Sequence, residues 1–259
     1  VLVTYLVSSR HPAARQKEPH MQQRVAIVTG ASSGIGLTLT RSLSARGYAV
    51  IGTSRNASHC PELQREKLTV LDGDVADPHT AERVVAAALS AFGRVDLLVN
   101  NAGIFLAKPF TEYTAEDYST LLGTNLAGFF HMTQTVLRAM LERKSGHIVN
   151  IGSSLSGQPI AGVPSALPIL IKGGLEAATR SLAIEYAASN IRVNTIAAGI
   201  IDTPMHSKEQ HTFLAGLSPA RRLGTTEEMA QALLYLEEAK FVSGEILHVD
   251  GGAHAGKWS

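Results

Sequence analysis

The stretch "TGASSGIG" sets Gly30, Gly34 and Gly36 directly after an apolar run, "RVAIVT", and before an amphipathic segment. Glycines in that setting let the backbone N–H groups of the turn, Ser32, Ser33 and Ile35 among them, approach a pyrophosphate at the positive end of the next helix. At the end of the following apolar run, "YAVIGT", stand Ser54 and Arg55, and no carboxylate. An acid there would accept from a ribose 2′-hydroxyl and repel a 2′-phosphate, whereas a guanidinium pairs with that phosphate. The arrangement favours NADP(H), with NAD(H) as the alternative.

The elements that must position these groups follow from hydrophobic patterning. The runs at 24–29, 48–53, 68–73, 95–100, 147–152, 191–196 and 245–249 are apolar on both faces, as strands of a covered parallel sheet must be. Helical patterns occupy 34–46, 78–92, 115–143, 166–188 and 226–238, and "TTEE" at 225–228 offers N-cap chemistry for the last. Alternation of this kind predicts one α/β domain over 21–259, a doubly wound Rossmann-type parallel sheet of about seven strands with helices on both faces. Residues 1–20 are expected to be a poorly ordered extension. Their apolar start precedes the basic residues, the reverse of a secretory signal, and falls short of the ~20 residues a membrane span needs.

Composition narrows the partners. With 23 basic and 22 acidic side chains, the net charge of +1 creates no field that would draw nucleic acid or an anionic membrane, and neither is expected. The single Cys60 excludes an internal disulfide and fits a reducing compartment, so a cytoplasmic location is expected. The ten histidines show no HExxH or Cys/His spacing, and no metal site is expected.

The G-x-x-x-G-x-G spacing, "NNAG" at 100–103, "GTNLAG" around Asn125, "RVNTIAAGIIDTPM" and "VDGG" at 249–252 together resemble the short-chain dehydrogenase/reductase family, across residues 24–252. That resemblance implies hydride transfer between a nicotinamide and a small-molecule carbonyl or alcohol, by a homodimer or homotetramer packed through the helices at 115–143 and 166–188. It also implies site residues. Asp74 and Val75 would meet the adenine edge, and Asn101, Ala102 and Gly103 would line the adenosine side. Gly199, Ile201 and Thr203 would hold the carboxamide, although Ala198 stands where the family usually has proline. Lys172 would hold the nicotinamide ribose, Asn125 would hold a relay water, and Ser153 or Ser154 would orient the carbonyl. Asp74 is equally a candidate cap for the helix after Pro78.

One position departs from the family. Its tyrosine acid stands four residues before the lysine, and here that position is Pro168, with no tyrosine between Tyr118 and Tyr186. Ser165 could cap the helix, placing Pro168 in the first turn, where its missing N–H breaks no helical bond. Losing a positioned general acid costs roughly 10²–10⁴ in rate. Two readings follow: an oxidoreductase with a non-tyrosine proton donor, either Lys172 or water held by Asn125, or a nucleotide-binding protein without turnover and with a structural or regulatory role. His131 is a candidate substitute acid. The resemblance implies that the segment after "DTPM" forms a mobile lid over substrate, so His206 and His211 within it are candidate substrate contacts, and Phe105, Leu155, Ile160 and Met205 are expected to form an apolar substrate wall.

Overall fold

The structure is a computed structural model that describes residues 23–64 and 68–256. The extension expected at 1–20 lies outside the described residues. Seven strands, β1 Val25–Thr29, β2 Ala49–Ser54, β3 Thr69–Asp72, β4 Leu97–Asn100, β5 Gly146–Ser153, β6 Ile191–Ala198 and β7 Ile246–Val249, form one parallel sheet. Its order is β3-β2-β1-β4-β5-β6-β7, as the double winding predicts, with the switch point between β1 and β4. All five residues of β1 are buried, because helices cover both faces there.

The helices are α1 Gly34–Ala45, α2 Pro61–Gln64, α3 Pro78–Phe92, α4 Ala115–Leu121, α5 Gly128–Arg143, α6 Ala166–Glu185, α7 His211–Gly216 and α8 Thr226–Glu238. Leu39 and Leu43 of α1 and Met229, Leu233 and Leu236 of α8 are buried with Val28, Val50 and Ile196 in one core. Val84 and Val85 of α3 and Met132, Val136 and Met140 of α5 fill the other, against Ile27, Leu98 and Ile148. Each such side chain, fully buried, contributes about 1.5–3 kcal/mol.

Several local expectations need correction. The helix expected over 115–143 is interrupted by a π-helical turn, Leu122–Ala127, carrying the buried Asn125. A π turn adds a residue between hydrogen-bond partners, and such turns cluster at functional sites. Asp74 does not cap α3: Asp77 does, accepting from His79 N, while Asp74 Oδ1 accepts from Ala76 N. Ser165 occupies the N-cap position of α6 without capping it, since its hydroxyl donates to Val163 O at 3.1 Å. Pro168 still lies in the first turn, buried, as the helix requires. The capping box expected at 225–228 forms, with Glu228 N donating to Thr225 Oγ1 at 3.2 Å and Thr225 N to Glu228 Oε2 at 2.8 Å.

At the N-terminal edge of the sheet a buried polar cluster ties α8 to the strands. Glu237 accepts from Tyr48 Oη and from His147 Nδ1, the latter at 2.5 Å, and lies within 3.5 Å of Arg192 and 3.4 Å of Arg24. Asn194 Nδ2 donates to His147 Nε2, which leaves Nδ1 carrying the proton toward Glu237. Burial lowers the imidazole pKa to about 4, so the ring is neutral at neutral pH. For Glu237 burial alone would raise the pKa, but the bonds from His147 and Tyr48 outweigh it and lower it. Both shifts stabilise the fold at neutral pH and lose that contribution on acidification, His147 across pH 6.5 to about 4 and Glu237 below it. Removing one partner of a buried charged network costs about 3–5 kcal/mol. Glu237→Ala is therefore expected to lose that much in urea unfolding, while the decline between pH 6.5 and about 4 persists, because it comes from the desolvation of His147 and not from Glu237.

Candidate active site

A cleft of about 440 Å³ runs along the C-terminal edge of the sheet, where the segments following all seven strands converge. Ligands of open α/β sheets bind at this edge, beside the switch point. At one end lie the glycine loop with Ser32, Ser33 and Ile35, then Ser54 and Arg55 after β2, and Asp74 and Val75 after β3. Asn101, Ala102 and Gly103 follow β4 in the middle. At the other end are Ser153, Ser154, Lys172, Gly199 and Ile201, together with Phe105, Leu155, Ile160 and Met205, while Thr203 reaches the glycine loop, where a Cβ on Gly34 would come 3.2 Å from its own.

The loop after β1 is shaped for close approach. Gly30 and Gly34 adopt positive φ, and a Cβ on Gly36 would stand 2.1 Å from the Gly30 carbonyl oxygen. Ser54 Oγ is shielded from solvent with no partner among the described residues, next to the exposed Arg55. An orphan hydroxyl beside a guanidinium fits a phosphate oxygen. Asn101 also braces the loop: its Nδ2 donates to Thr29 O at 2.9 Å, and Thr29 Oγ1 accepts from the N–H groups of Asn101 and Ala102 at 3.0 Å each.

At the other end, Lys172 Nζ donates to Ile151 O at 2.7 Å, and desolvation lowers its pKa to about 8. A Cβ on Gly103 would come 2.9 Å from Asn125 Oδ1 and 3.4 Å from Lys172 Nζ, so glycine lets the β4 exit pass between them. Asn125 itself does not line the main cleft. Its amide pairs with both backbone groups of Ile104 at 3.0 Å, and it borders a void of about 10 Å³ shared with Lys172 and Thr124. That is about the room one water needs.

The two serines differ. Ser153 ends β5 and its Oγ accepts from Leu155 N at 3.3 Å. Ser154 is buried, lines the cleft and has no side-chain hydrogen bond to any described residue. Among the described residues no tyrosine lines the cleft; Tyr113, the phenol nearest in sequence to the loop after β4, donates to Leu106 O. His131 lies on α5 in an edge-on contact with Phe130 and does not reach the cleft, whereas His206 lines it. His211 does not line it; its Nε2 lies 3.5 Å from Asp202 Oδ1.

Sequence reasoning missed Thr124, Ile151 and Asp250. Asp250 belongs to the "VDGG" run, and its side chain, 2% exposed, accepts from Gly252 N and His254 N at 3.0 and 2.8 Å. A carboxylate before two glycines with positive φ signals such a turn. Thr124 precedes Asn125 in the π turn, which the helical period gave no means to locate.

The family profile described as enoyl-(acyl carrier protein) reductase matches residues 30–254. The 3-oxoacyl-[acyl-carrier-protein] reductase FabG of Vibrio cholerae is 36% identical over 243 residues, 91% of this chain and 99% of that protein. The chain belongs to the short-chain dehydrogenase/reductase family. Another relative, the acetoacetyl-CoA reductase of an Acinetobacter species, is 38% identical over 90% of this chain and 98% of its own. Among solved structures, ElxO with NADP bound superposes with a TM-score of 0.83 at 30% identity, over 91% of this chain and 100% of its own. The ligand-free aldohexose dehydrogenase of Thermoplasma acidophilum gives 0.82 at 25% identity, over 91% and 96%. No helix among the described residues is long and apolar enough to cross a membrane.

Lys172 supplies a pH test of the cleft. Its folded-state pKa of about 8 lies below the ordinary 10.5, so between those values the unfolded chain holds more protons than the folded one. Stability rises with pH across that window. Thermal unfolding should show the wild type gaining from about pH 8 to about 10.5 relative to Lys172→Met, which lacks the titrating group.

Proposed function

We propose that the protein is an NADP(H)-dependent oxidoreductase, moving a hydride between the nicotinamide and a small apolar carbonyl or alcohol, with a proton donor other than tyrosine. The observation that carries this reading is one continuous cleft. It has a phosphate-sized glycine loop and the Ser54–Arg55 pair at one end, and Ser154 and Lys172 among apolar walls at the other.

NADP(H), when bound, supplies the hydride chemistry. The backbone of Gly30 to Gly36 receives the pyrophosphate, and Ser54 and Arg55 receive the 2′-phosphate. Asp74, Val75, Asn101, Ala102 and Gly103 border the adenosine. Gly199, Ile201 and Thr203 hold the carboxamide. Lys172, anchored on Ile151 O, presents its remaining N–H groups to the ribose and places positive charge where an alkoxide develops. Ser154 donates to the substrate oxygen, and Asn125 borders a water-sized space beside Lys172. The printed names of two relatives, a 3-oxoacyl-[acyl-carrier-protein] reductase and an acetoacetyl-CoA reductase, make 3-oxoacyl thioesters the first substrates to try. Exposed apolar residues on α5 (Phe130, Leu141) and α6 (Leu170, Ile184) support a homodimer or homotetramer built on these helices, and the single buried Cys60 suits a reducing cytoplasm.

Pro168, buried in α6 with no phenol in the cleft, favours a second reading, a nucleotide-binding protein that does not turn over. Titration of cofactor fluorescence separates the parts of the proposal. NADPH should bind more tightly than NADH, and Arg55→Ala should weaken NADPH about tenfold, roughly 1.4 kcal/mol, with NADH little changed. Absence of binding by either nucleotide would sink both readings. Tight NADPH binding, with neither wild type nor Pro168→Tyr reducing acetoacetyl-CoA or simple ketones, would decide for the second.

A further inference from the structure

Carbonyl reduction needs a proton at the oxygen that becomes the alcohol, and among the described residues the five ionisable side chains lining the cleft are Arg55, Asp74, Lys172, His206 and Asp250. Arg55 and Asp74 follow β2 and β3 at the adenosine end, away from Ser154. Asp250 is engaged with the backbone of its own turn. Lys172 is rooted four residues along α6 from Pro168, about 6 Å of helical rise, and its Nζ is held against Ile151 O on the cleft floor. His206 stands elsewhere, in the segment between β6 and α7 that also brings Thr203, Pro204 and Met205 to the cleft.

Resting on the oxidoreductase reading, we propose that His206 is the catalytic residue that exchanges the proton with the substrate oxygen, acting from this lid segment in place of a phenol on α6. Backbone hydrogen bonds hold the part of the lid that carries His206. Ile201 bridges to Gly224, and Asp202 N donates to Gly224 O at 2.8 Å. His206 N donates to Thr203 O at 3.0 Å, and the next turn is closed by a capping box between Ser207 and Gln210. His206 is half-buried and lines the cleft, so its side chain is neither sealed from solvent nor fully exposed.

In reduction, a ring N–H bond of the imidazolium breaks as the O–H bond of the alcohol forms, while the carbonyl carbon receives the hydride of the reduced nicotinamide. The neutral ring then regains a proton from solvent. Oxidation runs the same steps backward, the neutral ring taking the hydroxyl proton as hydride returns to the oxidised nicotinamide. The charges around the ring are His211 and Asp202 on the lid, Lys208 and Glu209 in the adjoining turn, Lys172 from α6 and Asp250 after β7, with Arg55 and Asp74 at the far end. Burial, then His211, lower the His206 pKa, and Asp202 opposes them. The reduction rate therefore falls as pH rises through a value below 6.5, and the oxidation rate rises through the same value.

The test uses the full chain with NADPH and acetoacetyl-CoA or cyclohexanone, comparing wild type, His206→Ala, His206→Gln and Lys172→Ala. His206→Ala and His206→Gln are expected to lower kcat about 100-fold or more, to abolish the acidic limb of the pH profile and to leave the Kd for NADPH within about twofold of wild type. Added imidazole should restore turnover to His206→Ala, which a merely structural role would not allow. As a readout independent of turnover, cyclohexanone added to protein loaded with NADP⁺, where no hydride is available, should shift the His206 ring resonances in NMR. Turnover by His206→Gln at the wild-type rate with the limb intact, or unmoved ring resonances, would overturn the proposal while leaving the oxidoreductase reading standing. No turnover by the wild type despite tight NADPH binding would overturn both.

Discussion

A Cβ at position 36 would stand 2.1 Å from the Gly30 carbonyl oxygen and 2.4 Å from Asn101 Nδ2, so α1 can reach the ends of β1 and β4 only because residue 36 is glycine. That approach sets the rest of the cleft. It brings the positive end of α1 to the switch point, where Thr29 Oγ1 and the Asn101 amide lock the exits of β1 and β4 together. The β4 exit then passes between Asn125 and Lys172 at Gly103, a second contact that admits no Cβ without displacement. The glycine-loop end of the cleft and the end that carries Lys172 thus share one wall, the exit of β4.

The same sheet separates stability from chemistry by its two edges. At the N-terminal edge Glu237 gathers Tyr48, His147, Arg192 and Arg24 into a satisfied buried network, which resists opening because each lost partner leaves charge or hydrogen-bonding capacity stranded. At the C-terminal edge polar atoms are left without partners: Ser54 Oγ is shielded and unpaired, and Ser154 has no side-chain bond to a described residue.

How much of this the sequence showed depended on the range of the interactions involved. The strands and α3 and α8 were legible because burial on two faces or one imposes a short period on neighbouring residues. The glycine loop and Arg55 were legible because their positions follow from strand ends, and Lys172 was legible only through the family resemblance of the segment around it. Three features were not. The π turn at Asn125 breaks the helical period over a single turn, and the choice between Asp74 and Asp77 as cap depends on where a loop tightens. The difference between Ser153 and Ser154, both of which line the cleft, depends on where β5 stops, at Ser153, whose hydroxyl is engaged by Leu155 N. Each is decided by one or two residues of backbone register, which side-chain pattern does not encode.

Pro168 shows how chemistry can be altered with the scaffold kept. At the third position of α6 a proline removes an N–H that has no intrahelical acceptor, so the helix that carries Lys172 forms unchanged, and the buried Leu167 and Ile171 still pack on Leu121. A phenol there would be fixed by the most rigid part of the molecule. Any substitute must come from elements that reach the same space, and among the described residues lining the cleft the segment after β6 supplies one ionisable, half-buried side chain, His206. A proton carrier on such a segment would tie proton transfer to the position of the lid. Hydride transfer would remain governed by the rigid sheet edge, so the two halves of the reaction would depend on separate parts of the fold.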